Sequence, residues 1–100
     1  MQGIKVKMKA ENEKTLVFDV HVARLRGNRY GEVKEDMDYE VTVERGDYER
    51  LTNGGITPEE LVEKSFKFLL ERESKESILK QFNLMEIARY FPEYEREISE

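Results

Sequence analysis

Thr57-Pro58-Glu59-Glu60 has the form of a capping box, and it fixes the start of a helix around which the rest of the chain has to be arranged. The Thr57 hydroxyl can accept from the Glu60 backbone N–H while the Glu60 carboxylate reaches back to the Thr57 amide. Pro58 at the first helical position loses no hydrogen bond, because that N–H has no helical partner in any case. Ile56 before the cap and Leu61 beyond it suit a hydrophobic staple. From there Leu61, Val62, Phe66, Phe68, Leu69 and Leu70 spread over roughly half the helix circumference. A face that wide needs two partner surfaces. Glu59, Glu60, Glu63, Lys64, Lys67 and Glu71 take the remaining arc, with Glu60 to Lys64 and Glu63 to Lys67 in the favourable i to i+4 order, so that arc is solvated.

The first surface is supplied by the preceding residues. Ile4, Val6, Met8 and Ala10 alternate with Lys5, Lys7 and Lys9, the period of a strand with one buried and one wet face. The lysines discourage pairing with other chains, so this strand is expected at an edge. A polar turn over Glu11 to Lys14 leads to a second, antiparallel strand whose inner residues are Leu16, Phe18, Val20 and Val22. There the alternation breaks at Arg24, which a bulge or the start of a loop would explain. Gly27-Asn28 favours a tight hairpin turn. Turning there sets Arg26 opposite Arg29, Leu25 opposite Tyr30 and Val22 opposite Val33. Glu35 to Asp38 then reads as an acidic turn, and Tyr39, Val41 and Val43 as the inner face of a further strand. Gly46 ends that strand, Asp47 can cap a short turn through Tyr48 and Leu51, and Asn53-Gly54-Gly55 breaks the chain before the main helix.

Beyond the helix, Ser74 can cap a short helix carrying Ile78, Leu79 and Phe82. Asn83 ends it and, with Glu86, can cap the next, in which Leu84, Ile87, Ala88 and Phe91 form one stripe. Pro92 stops that helix at Phe91, since the residue before proline is pushed out of the helical region. A last turn places Tyr94 and Ile98 on one side. The expectation is a single α+β domain of 100 residues: sheet over 1–45, turn and seam over 46–55, helical part over 56–98. Its sheet is a meander of three or four antiparallel strands, followed by one long helix and two or three short ones.

Residues 39–98 resemble a group of short bacterial proteins of uncharacterised function. Tyr39-Glu40-Val41-Thr42-Val43, Asp47-Tyr48-Glu49-Arg50-Leu51, Thr57-Pro58-Glu59-Glu60-Leu61, Phe68-Leu69-Leu70-Glu71-Arg72-Glu73 and Arg89-Tyr90-Phe91-Pro92-Glu93-Tyr94 carry the resemblance. It implies a shared fold and no activity.

Composition narrows the function classes. With no cysteine, the chain has no disulfide framework, thiolate metal site or cysteine nucleophile, which fits a reducing, cytoplasmic setting. Met1 to Lys9 has no continuous apolar run of the signal-peptide kind, and no stretch reaches transmembrane length. Charged residues make up 39% of the chain and glutamine occurs only at Gln2 and Gln81, a balance found in heat-adapted proteins. The net charge of −5 is uneven, with 7 basic and 11 acidic side chains after residue 50. A helical half at −4 is a poor match for phosphate backbones.

Four groups of side chains are candidates for function. Asp19 and His21 share a strand face, but one histidine and one carboxylate are too few for a structural metal site. Arg24, Arg26 and Arg29, with Tyr30 beside them, form a basic cluster suited to an anion or RNA contact, or to a solvated tip neutralised by Glu35 to Asp38. A helix-turn-helix over 78–98 would set Glu93, Glu95 and Glu97 against phosphates. Tyr48, Tyr90, Phe91 and Tyr94 either cap the core or form an exposed aromatic interface. No phosphate loop, catalytic triad or cofactor motif can be read. The sequence therefore points to a non-enzymatic protein-interaction domain that self-associates as a homodimer, with no catalytic, cofactor or metal residues. An anion or RNA contact through the Arg24, Arg26 and Arg29 tip is the alternative.

Overall fold

A computed structural model describes the backbone of residues 2–28 and 31–99, and the side chains of these except residues 2, 24–28, 31–35 and 75. Strand β1 (Gln2–Glu11) pairs antiparallel with β2 (Thr15–Asn28), which pairs antiparallel with β3 (Gly31–Glu44). Helix α1 (Arg45–Thr52) and the main helix α2 (Pro58–Leu70) follow. A 3-10 turn (Lys75–Ser77), a short strand β4 (Gln81–Asn83) and helices α3 (Glu86–Tyr90) and α4 (Tyr94–Ile98) complete the chain. The sheet order is β1-β2-β3-β4, giving an α+β fold in which three strands precede the main helix and the fourth joins the sheet after it.

The period-two pattern decides which face of the sheet is buried. Leu16, Phe18, Val20 and Val22 on β2 and Tyr39, Val41 and Val43 on β3 all face the core. Edge-strand residues Ile4, Val6 and Met8 are only partly covered. The turn between β1 and β2 is closed by Asn12, whose Oδ1 accepts from the backbone N–H of both Lys14 and Thr15. Arg45 clips α1 to that turn, donating to the Asn12 carbonyl and to the Glu11 carboxylate at 2.8 Å.

The structure corrects the expected reading of β2 and β3 at three places. Asn28 pairs with Gly31 and Val22 with Met37, so the strands reverse beyond Gly27-Asn28, and Arg26 lies opposite Val33 instead of Arg29. The acidic stretch Glu35 to Asp38 is strand, not turn. Asp36 and Asp38 alternate with inward-facing Met37 and Tyr39, so the period continues through residues with low strand propensity because the acids fall on the solvated face. No bulge interrupts β2; the register shift occurs between Met8 and Ala10 on β1, opposite Phe18 and Val17.

A fourth correction concerns Gln81–Asn83. This stretch is not helical: it adds to the sheet in parallel with β3, with Glu40, Val41 and Thr42 opposite Gln81, Phe82 and Asn83. Ile78, Leu79 and Phe82 have helical spacing, and three residues are too few to display a period of two.

Helix α2 begins as its sequence specifies. Thr57 accepts from the Glu60 N–H at 3.1 Å, and Glu60 accepts from the Thr57 N–H at 2.9 Å. The Thr57 backbone N–H, and after it the Thr57 side chain, hold the Glu60 carboxyl below its ordinary pKa. Its apolar arc divides between two surfaces. Phe66 packs against Tyr39 and Phe82 with ring centroids 5.1 and 6.0 Å away, on the sheet side. Phe68 meets Phe91 and Tyr94 edge-on, on the side of the C-terminal helices. Each fully buried large side chain contributes about 1.5–3 kcal/mol.

Ser65 lies inside the arc and is completely buried. Its hydroxyl bonds the Leu61 carbonyl at 2.8 Å and the Tyr94 hydroxyl at 2.6 Å. Burial also pushes the Tyr94 phenol well above its ordinary pKa. The two ends of this pair are unequal, because Ser65 retains the Leu61 carbonyl if Tyr94 loses its hydroxyl, whereas Tyr94 has no second partner among the described residues. Tyr94→Phe should therefore cost roughly 0.5–1.5 kcal/mol and Ser65→Ala roughly 1–3 kcal/mol. The double variant Ser65→Ala/Tyr94→Phe should be more stable than Ser65→Ala alone. Urea midpoints at unchanged m-value measure all three, and a double variant less stable than Ser65→Ala would refute the assignment.

Candidate functional site: a groove between α2 and α3

The end of α2, the 3-10 turn, β4 and α3 enclose an open groove of about 260 Å3. Its walls follow from local chemistry. After α2 the Glu73 N–H returns to the Leu69 carbonyl, turning the chain back towards the sheet. Ile78 is buried, and its neighbour Leu79 stands 54% exposed. Glu40 N–H donates to the Lys80 carbonyl and Leu84 N–H to the Thr42 carbonyl, which seats Phe82 against Phe66. The Asn83 side chain then accepts from the Met85 N–H at 3.0 Å and turns the chain into α3. On α3, Glu86 and Tyr90, and likewise Ile87 and Phe91, lie at i and i+4 and face the groove. Phe91, held at φ −130° before Pro92, ends the helix as the sequence requires. Tyr90, in the last helical position, is left 68% exposed.

The groove thus has an apolar floor, two large apolar side chains on its rim, and two carboxylates. Glu86 is bonded to Arg89 at 3.3 Å. Among the described residues the Glu73 carboxylate has no ion-pair partner, and no lysine or arginine side chain lines the groove.

Of the four aromatic residues expected at an interface, two are available here. Tyr90 is on the rim and Phe91, half-buried, forms part of the wall. Tyr94 has no exposed surface, which removes it from the surface patch; it is buried against Phe68 and Ser65. Tyr48 is half-buried, and its hydroxyl donates to the Ile56 carbonyl at 2.5 Å, tying α1 to the approach to α2. Leu79, Glu73 and Glu86 were not anticipated from sequence. The adjacent pair Ile78-Leu79 held the available signal, because neighbours in extended backbone point in opposite directions and one of them must turn outward.

The arginine cluster falls where side chains are not described: Arg24 and Arg26 have backbone positions opposite Glu35 and Val33, while Arg29 and Tyr30 lie outside the described residues.

His21 finds its partners across the sheet and not in Asp19. Its Nδ1 is 2.6 Å from Asp38 Oδ1 and its Nε2 3.3 Å from Asp36 Oδ2, while Lys5 is its register neighbour on β1. With each ring nitrogen facing its own carboxylate, the ring offers no free nitrogen to a metal. Among the described residues no group of three or more metal-ligating side chains converges. The hydrogen bond to Asp38 raises the His21 pKa above 6.5, opposed by desolvation and assisted by the charges of Asp38 and Asp36.

A raised folded-state pKa means that the stability from this clamp is fully present below the unfolded value and is lost as pH rises through the folded one. In an NMR titration from about pH 5 to pH 9, the His21 ring should titrate above the unperturbed value of roughly 6.5, and Asp38→Asn should lower its midpoint. The stability difference between the parent and Asp38→Asn should shrink towards the alkaline end. An unchanged midpoint in that variant would remove the clamp.

Comparison with family models, with curated proteins and with solved structures finds no match for the chain. Among the described residues, no helix is long and apolar enough to cross a membrane.

Proposed function

We propose that this domain is a non-enzymatic protein-interaction module whose docking site is the groove between the end of α2 and α3. The observation that carries the reading is the exposure of Leu79 and Tyr90 beside one apolar depression. Large apolar side chains clustered at the surface of a small domain mark contact sites, and aromatic residues are enriched at such contacts. The volume supports protein anchors over a small-molecule ligand: about 260 Å3 lies below the roughly 300–1,000 Å3 of pockets that engulf small molecules. His21 sits on an open sheet face between two carboxylates, away from the groove-lining residues, which is a poor setting for a general base.

Self-association through this face, the form of interaction expected from sequence, sets like against like. A two-fold contact apposes the same patch from both copies, and here that patch carries Glu73 and Glu86. A foreign segment fits the electrostatics better.

Selection from a displayed random-peptide library tests the reading without knowledge of the partner. Sequences enriched on the parent protein should fail to bind a Leu79→Asp/Tyr90→Asp variant, whose substitutions lie at exposed positions and should leave the thermal midpoint nearly unchanged. Enrichment of the same sequences on both proteins would reject the groove as the docking site.

A further inference from the structure

Resting on that groove reading, we infer that the segment it accepts is a cationic amphipathic stretch of a foreign protein, one or two apolar anchors flanked by lysine or arginine. Three features of the groove select for positive charge. Glu73 stands at its edge as a half-buried carboxylate with no ion-pair partner among the described residues. Glu86 adds a second carboxylate, engaged at 3.3 Å by Arg89, whose own side chain is 76% exposed and free to shift. The exposed ring of Tyr90 offers a face on which a guanidinium or ammonium group is attracted by the ring quadrupole.

The floor sets the remaining requirement. Leu69, Ile78, Phe82, Ile87 and Phe91 present carbon to the groove, so the occupant must bring apolar side chains to displace water from them. A purely basic peptide would leave that floor wet, and a purely apolar one would leave Glu73 without a counter-ion. An acidic segment or a phosphate backbone would meet two carboxylates and a helical half carrying 11 acidic against 7 basic side chains. A second copy seated by the same face encounters the same repulsion. Together these conditions describe an amphipathic peptide that lays its apolar side into a groove and its charges over the rim.

The test uses the full chain, isotope-labelled, and three short synthetic peptides that share the same leucine and phenylalanine anchors and differ only in their flanks: lysine, glutamine or glutamate. The lysine-flanked peptide should shift the amide signals of the groove residues and bind most tightly. Its affinity should fall as salt rises from about 0.05 M to 0.3 M, because the Debye length shortens across that range. Glu73→Gln, a change that breaks no described ion pair, should weaken the lysine-flanked peptide about threefold, the size expected of a rim charge, and leave the glutamine-flanked peptide unchanged. Equal binding of all three peptides at the groove would overturn the charge inference while leaving the docking site intact. Binding by none of them, or shifts confined to signals outside the groove, would overturn both.

Discussion

Helix α2 is gripped from two sides, and the remainder of the fold depends on that double contact. Phe66 faces the sheet between Tyr39 and Phe82, while Phe68 faces the C-terminal helices between Phe91 and Tyr94. A three-stranded meander has one apolar face that must be covered, and four short C-terminal elements have no core of their own. The half-circumference apolar arc of α2 meets both needs. Polar contacts reinforce the second grip. Arg72 lies 3.7 Å over the Phe68 ring and reaches Glu93 and Glu97 on the side of α4, and Lys64 donates to the Ile98 carbonyl.

Where the sequence carried periodicity over many residues, it was legible. The alternation of β2 and the inner positions Tyr39, Val41 and Val43 were readable, as were the cap of α2 and the stop at Phe91 before Pro92. Each is a local rule applied to residues that also obey the tertiary fold. Legibility failed where a rule had two readings. Glu35 to Asp38 have the composition of a turn, yet their alternation with Met37 and Tyr39 places them in β3, held there by cross-strand pairing with residues 21–24. β4 was hidden because its three residues are recruited by β3 and not by their own propensity. Tyr94 and Tyr90 illustrate the limit at the candidate site. Both are aromatic residues near the C-terminus, and only the packing of α4 against Ser65 buries one while the end of α3 exposes the other.

The high charge content has a structural distribution of its own. On the outer face of the sheet Lys9 bonds Glu40 at 2.5 Å, Gln81 shares the same carboxylate, and His21 is held between Asp36 and Asp38. Lys9 sits at the register shift of the edge strand, so one residue both disrupts the free edge and reaches two strands across it. Such exposed pairs contribute little each to stability, generally below about 1 kcal/mol. Their arrangement matters more for keeping the sheet from recruiting other strands than for holding it together.

The parallel seating of β4 has a kinetic meaning. Gln81 and Glu40 touch although 41 positions apart in sequence, whereas β1, β2 and β3 pair through short reversals. Closing the longer loop carries the larger entropic penalty, and the contact of Phe82 with Phe66 forms only once α2 is in place. The groove floor therefore depends on contacts between residues distant in sequence, contributed by α2, β4 and α3. Any species that binds the groove needs all of these elements in place, so its binding would stabilise the whole fold by mass action.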